Sequence, residues 1–165
     1  MPTYKAIAST TVGSGGASSI TFSSIPQTYT DLVLHLSGRT SNSATYSYNN
    51  ILFNGTNANT GRALYGDPSY QVGSAVTVDF IQDGNTATTN TFSSMYFYIP
   101  NYTSSTNKSF SADNVMEGNY ASIQLQIWAF LSTVTSAITS ITLQNNAGAN
   151  WVQYATATLY GIKNS

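Results

Sequence analysis

The sequence predicts an all-β fold in which two antiparallel sheets pack face to face as a jelly-roll-like β-sandwich. Three observations lead there. Apolar residues recur with a period of two from one end to the other, turn signals separate the alternating runs, and no stretch carries helical periodicity over the length of an ordinary helix.

The runs follow one another along the chain. Tyr4 to Ala8 is a short candidate strand, and Ser18 to Ile25 alternates small polar with apolar residues until Pro26 stops it. Leu32 to Gly38 puts Leu32, Leu34 and Leu36 on one face and Val33 and His35 on the other. Ile51 to Phe53 and Arg62 to Tyr65 are further short candidates. Ala75 to Phe80 directs Val76, Val78 and Phe80 inward, and Phe92 to Ile99 ends at Pro100. Lys108 to Val115, Ile123 to Leu131, Ile138 to Leu143 and Ala155 to Ile162 complete the series. Asn54-Gly55, Gly66-Asp67-Pro68, Asp83-Gly84-Asn85, Glu117-Gly118-Asn119 and Ala147-Gly148-Ala149 supply turn chemistry. Between Leu131 and Ser140 the Ser, Thr and Val content allows one helical turn at most. About eight to eleven short strands must stack as two sheets or close on themselves. The sandwich is expected because the strands are unevenly spaced and each has a single apolar face. A jelly roll is the common version, and an immunoglobulin-like sandwich is the alternative.

The 165 residues suit one domain, with a core large enough to need no staples. There are no cysteines, which excludes a disulfide scaffold and a thiolate zinc site. Nothing after Met1 reads as a signal peptide, and no run approaches the ~20 apolar residues that span a bilayer. Charge is scarce: Asp, Glu, Lys and Arg make up 7% of the chain, against ~25% in ordinary soluble domains. The surface is therefore built from hydrogen-bonding but uncharged groups and repels its own copies weakly, a liability in a free monomer but not in an assembled subunit. Lys5, Arg39, Arg62, Lys108 and Lys163 are scattered and nearly matched by acids. Neither nucleic acid nor an anionic membrane is an expected partner.

Catalytic constellations are missing from the sequence pattern. His35 is the single histidine, without a second ligand at a spacing a strand can supply, so a structural or surface role is expected. The serines have no base to activate them and no elbow motif. Asp113 and Glu117 are close in sequence but approach a turn, without the paired carboxylates across a cleft that glycoside hydrolysis requires. Asp79, Asp83 and Asn85 around Gly84 offer oxygen ligands that calcium accepts, yet the closing Glu of an acidic loop is absent and a plain Asp-Gly turn is expected. Gly13 to Gly16 lacks the Lys and helix of a phosphate cradle. No catalytic residue, metal or cofactor is assigned, and the chain is expected not to be an enzyme.

Aromatic residues are the remaining resource, with 12 Tyr, 7 Phe and 2 Trp. Alternation sends Phe92, Phe110, Trp128 and Phe130 to the core. Tyr46, Tyr48, Tyr65, Tyr70, Tyr102, Tyr120 and Tyr154 fall in or beside polar loops and are the candidate interface residues. Exposed Tyr suits a subunit interface and a glycan-binding surface equally.

Ser18 to Leu32, Phe53-Asn54-Gly55, Arg62 to Gly66, Ile99-Pro100-Asn101-Tyr102, Thr106 to Phe110, Ala137 to Leu143 and Ala157 to Ile162 stand in an order that resembles small structural proteins of tailed bacteriophages. The resemblance runs from about Tyr4 to Ile162; its most specific parts are the Ile-Pro-Asn-Tyr turn and the terminal Leu-Tyr-Gly-Ile strand. It implies a non-enzymatic virion protein, made in the bacterial cytoplasm and placed on the capsid surface. Such a head decoration, or cement, protein is generally a homotrimer that bridges major capsid protein subunits. The alternative is a tail-fibre or tail-tip domain that grips host polysaccharide. Met1 to Lys5 and Lys163 to Ser165 are candidate arms that add a strand to a neighbour.

Overall fold

Alternation becomes paired strands throughout the computed structural model, which describes residues 3–57, 59–66, 79–119 and 124–163. In chain order the strands are β1 (Thr3–Thr11), β2 (Ser19–Phe22), β3 (Asp31–Gly38), β4 (Tyr46–Phe53), β5 (Asn59–Gly66) and β6 (Asp79–Asp83). Then come β7 (Ser93–Ile99), β8 (Lys108–Met116), β9 (Gln124–Ser132), β10 (Ile141–Asn145) and β11 (Thr156–Lys163). A large sheet of seven strands runs β1-β11-β3-β7-β8-β9-β5, and a small sheet of four runs β2-β10-β4-β6. The expected two-sheet antiparallel sandwich is what forms.

From β1 to β7 the chain changes sheet at every step, so none of β1 to β6 makes a hairpin with its successor. The pairs β3–β11, β4–β10 and β5–β9 nest within one another, as in one long hairpin rolled up on itself. The inward residues fill the space between the sheets: Leu32, Leu34 and Leu36 from β3, Met95, Phe97 and Ile99 from β7, and Ile51 and Phe53 from β4 are all buried. Phe53 meets Phe110 edge-on at 5.1 Å and Phe80 meets Phe97 at 5.2 Å, separations at which aromatic pairs add to plain burial. Trp151, in the loop before β11, is fully buried and its indole N–H donates to the Leu143 carbonyl at 3.2 Å.

One end of the core is polar. Gln82 Nε2 donates to Asn114 Oδ1 (3.1 Å), Asn114 Nδ2 donates to Gln126 Oε1 (3.2 Å), and Trp128 Nε1 donates to the same oxygen (3.1 Å). This amide chain crosses from the small sheet into the large one. A slip of one residue would bury a different set of side chains and leave amides unpaired, so the chain fixes register.

Four expectations change. β9 has two apolar faces rather than one: Trp128 and Phe130 point inward while Leu125, Ile127 and Leu131 are exposed. The strand expected at Ile138 begins at Ile141, and Ile138 is buried in the preceding loop with its amide on the Tyr102 carbonyl at 2.9 Å. Phe92 reaches the core only from its rim, half-buried and packed against it. Of the expected terminal arms, Thr3 to Lys5 and Lys163 pair within the large sheet, Thr3 with Lys163, while Met1, Pro2, Asn164 and Ser165 lie outside the described residues. Val76, Val78 and the Gly66-Asp67-Pro68 turn lie wholly or partly outside the described residues.

Four of the scarce charges, Asp31, Arg39, Asp83 and Lys108, work inside. Lys108 opens β8 with its side chain buried, and Nζ donates to the carbonyls of Ser104 (2.8 Å), Thr106 (2.9 Å), Val134 (3.0 Å), Thr135 (3.1 Å) and Ser136 (2.7 Å). The loops before β8 and after β9 are thus drawn onto one ammonium. No helical turn forms between Leu131 and Ser140, since carbonyls that it would use face Lys108. Arg39 clamps the 85–91 loop in the same way, donating to the carbonyls of Thr88 (2.7 Å), Thr91 (3.1 Å), Asn85 (3.0 Å) and Ala87 (3.0 Å). Asp31 caps the turn after β7, accepting from the Tyr98 hydroxyl and the Asn101 amide at 2.9 Å each.

Asp83 is fully buried at the end of β6. Its Oδ1 accepts the Gly118 amide at 3.1 Å, and Oδ2 is buried without a hydrogen bond. Burial pushes its carboxyl above the ordinary 3.8, with Glu117 adding and the Gly118 amide, Ser93 and Arg39 opposing. Between 3.8 and the raised value the folded chain holds more protons than the unfolded one, so this group makes stability fall as pH rises through that window. Asp83→Asn is expected to flatten that acid-side slope, measured by urea unfolding at a series of pH values. An unchanged slope would remove Asp83 as its source.

Candidate interaction surface

Strand alternation leaves each sheet one outer face, and that of the large sheet is the broader of the two, roughly 30 Å across its seven strands. Register places Thr158, His35, Tyr96, Asp113, Ile127 and Leu64 in one cross-strand row. A parallel row holds Tyr160, Val33, Tyr98, Ser111, Ala129 and Arg62. The face divides in two along these rows.

Its aromatic half lies on β1, β11, β3 and β7. His35 sits between Tyr96 and Tyr160, with ring centroids 4.9 Å and 5.5 Å away. Tyr4, on edge strand β1, is exposed, and its phenol lies beside that of Tyr96. Burial first, then the Tyr4 phenol, push Tyr96 up to about 12. Burial also raises Tyr98, followed by its hydrogen bond to Asp31. These phenols stay neutral over the physiological range and present O–H groups rather than charge. On the opposite, inward face of β11, Gly161 lets Tyr29 pack against the strand, for a Cβ there would fall 2.3 Å from the Tyr29 ring.

The aliphatic half lies on β8, β9 and β5. Val115, Leu125, Ile127 and Leu64 are between 52% and 57% exposed and Leu131 is 44% exposed. A shallow hollow of about 460 Å³ beside them is lined by Thr60, Gly61, Arg62, Ser109, Ala129, Phe130 and Leu131. Scattered exposed apolar residues need no explanation, but five on adjacent strands form a contiguous patch.

The candidate tyrosines scatter. Tyr46 and Tyr48 lie together on the outer face of the small sheet, exposed, with rings edge-to-face at 5.6 Å. Burial, then Tyr46, Asp79 and Tyr65, raise the Tyr48 phenol, so Tyr65 belongs to the same neighbourhood. Tyr154 is 67% exposed in the loop before β11, at a positive φ of 73°, beside a hollow that Arg39, Phe92 and Asn90 also line. Tyr102 is a correction: it is completely buried and its hydroxyl donates to the Pro26 carbonyl. The turn that Asn101 makes at a φ of +49° folds it back into the core. Tyr70 and Tyr120 lie outside the described residues.

No family model, curated protein or solved structure matches this chain.

The acids considered for chemistry are spread out. Glu117 holds a loop, its carboxylate accepting the Thr88 amide (3.2 Å), the Thr88 hydroxyl (2.8 Å) and the Asn119 amide (2.9 Å). Asp113 is on the outer face, Asp83 is buried, and the expected tight turn follows Asp83, the Ala87 amide donating to the Gly84 carbonyl at 3.3 Å. Among the described residues, no three His, Asp or Glu side chains gather where they would hold a metal ion.

The two-part outer face was missed in the sequence because strands there were assigned one apolar face each. The signal was present in Leu125-Gln126-Ile127-Trp128-Ala129-Phe130-Leu131. Its apolar residues occupy both phases of the alternation, which requires a second covered face.

Proposed function

We propose that this chain is a non-enzymatic structural protein of a tailed-phage particle, a capsid decoration protein that assembles with its own copies and bridges major capsid subunits. The observation that carries the reading is the outer face of the large sheet, broad and nearly free of charge, with aliphatic residues over one half and neutral phenols over the other. Such a surface buries well against protein and gains nothing from polyanions.

Rigidity supports the same reading. Lys108, Arg39, Asp31 and Asp83 hold loops from within, so the surface docks without first being ordered. A decoration protein multiplies modest contacts by attaching at more than one point, and the resulting avidity opposes the outward pressure of packaged DNA. Particles stripped of the chain are expected to burst on heating or osmotic shock sooner than complete ones, and re-addition restores them. Equal resistance would end this reading.

A second reading, a tail domain that binds host polysaccharide, is favoured by the exposed Tyr46–Tyr48 pair. Rings of this kind stack on sugars, and the nearby Asn146 amide, which donates to Asp79 at 2.9 Å, adds polar groups. It predicts binding in a screen of bacterial envelope glycans that is lost in Tyr48→Ala. A blank screen would set it aside.

A further inference from the structure

We infer that the aliphatic half of the outer face, on β5, β9 and β8, is where a second copy of this chain docks. Its outward residues are Thr60, Arg62 and Leu64 from β5, Leu125, Ile127, Ala129 and Leu131 from β9, and Ser109, Ser111, Asp113 and Val115 from β8. The five large apolar side chains expose on the order of 500 Å², near the top of the range for the largest patch on a typical monomer, about 300–600 Å². With the polar residues around them they approach the ~800 Å² per partner of a standard interface.

Charge complementarity selects a copy as the occupant. Among the described residues, the charges of this half-face are one cation, Arg62, on β5 and one anion, Asp113, on β8, on either side of β9. Arg62 is level with Ala129 and Ser111, and Asp113 is level with Ile127 and Leu64. A two-fold axis along β9 lays β9 on its copy and β5 over the copy's β8. Each Arg62 then stands over Ser111 of the copy, two residues and about 7 Å along the strand from its Asp113, within reach of an arginine side chain. The pair forms twice by symmetry, flanking an apolar centre, which is the self-complementarity of an isologous interface. A basic or acidic partner would leave one of these two charges opposed to its own sign.

The inference rests on the assembly part of the proposed function and deepens it. The closed unit this face makes is a two-fold pair; a trimer requires another surface in addition.

Sedimentation velocity of the full chain over a concentration series tests it. The wild type is expected to pair, and Ile127→Lys to weaken pairing at least about tenfold, equivalent to about 1.4 kcal/mol, with an unchanged far-ultraviolet spectrum. Ile127 faces solvent in the single chain, so its fold should survive. Arg62→Asp and Asp113→Arg should each weaken pairing and the double exchange recover most of it. A wild type that stays monomeric, pairing indifferent to Ile127→Lys, or a double exchange no better than the singles would each overturn the inference. Those results leave the virion reading to the particle-stability experiment, which does not depend on self-association in solution.

Discussion

Lys108→Met is expected to destabilise the fold by about 3–5 kcal/mol, the combined cost of leaving several buried backbone acceptors unmet. The substitution keeps the stem and removes the ammonium from five backbone carbonyls in two loops. Those oxygens point at one spot, so methionine leaves them facing a methyl group, and an unmet buried acceptor costs about 1–3 kcal/mol. Burial lowers the lysine's own pKa, so the charge itself is costly there, but the ring of acceptors offsets that cost. In a chain of this length the loss corresponds to roughly 10 °C or more in Tm. Lys108→Arg should recover little, because a flat guanidinium fork does not match acceptors arranged around a point. Urea and thermal unfolding check both; a loss under about 1 kcal/mol for Lys108→Met would mean that solvent replaces the ammonium.

Arg39→Met is the second large effect, again about 3–5 kcal/mol from unmet backbone acceptors. Four carbonyls of the 85–91 loop lose their donor. Buried Asp83 also loses the cation that opposes its raised pKa. Because two sources of loss share one residue, the double variant Arg39→Met with Asp83→Asn is expected to cost less than the two single losses added. Strict additivity in urea unfolding would show that the two groups do not feel one another. Gly84 adds no freedom to compensate, since a Cβ there would fall 2.1 Å from the Ala44 carbonyl oxygen and the turn is packed against backbone.

Much of this architecture was legible in the sequence because burial writes itself at alternate positions. Leu32, Leu34 and Leu36 alternate inward as the spacing requires, and Val33 is buried on the opposite face beneath the aromatic half. What the pattern hid is polar. The inward positions of β8 read Lys108, Phe110, Ala112, Asn114 and Met116, and neither Lys108 nor Asn114 carries a hydrophobic mark. Their burial follows from partners on distant loops and strands, which local spacing cannot reveal. Tyr102 misled for a related reason. It follows an Asn and precedes a Ser/Thr-rich loop, so its surroundings look polar, while a left-handed Asn101 turns it inward. Strand order was out of reach, since successive strands alternate sheets and no hairpin ties neighbours in sequence to neighbours in space until β7 and β8.

The interaction surface was half legible. The scarcity of charge pointed to assembly, and the exposed pair Tyr46 and Tyr48 came from the tyrosine count. The aromatic row of Tyr4, His35, Tyr96 and Tyr160 and the aliphatic patch beside it arise only when β1, β11, β3, β7, β8, β9 and β5 are set side by side. A low-charge exterior is costly for a free protein and harmless beneath a neighbour, which unites the composition with the face.

A subunit-resolution electron-microscopy map of the intact particle is the most direct measurement. It should display the protein on the head, with Leu64, Leu125 and Ile127 covered by an adjoining molecule. A head that lacks the protein, or a copy there whose β5–β9–β8 face is bare to solvent, would contradict the account.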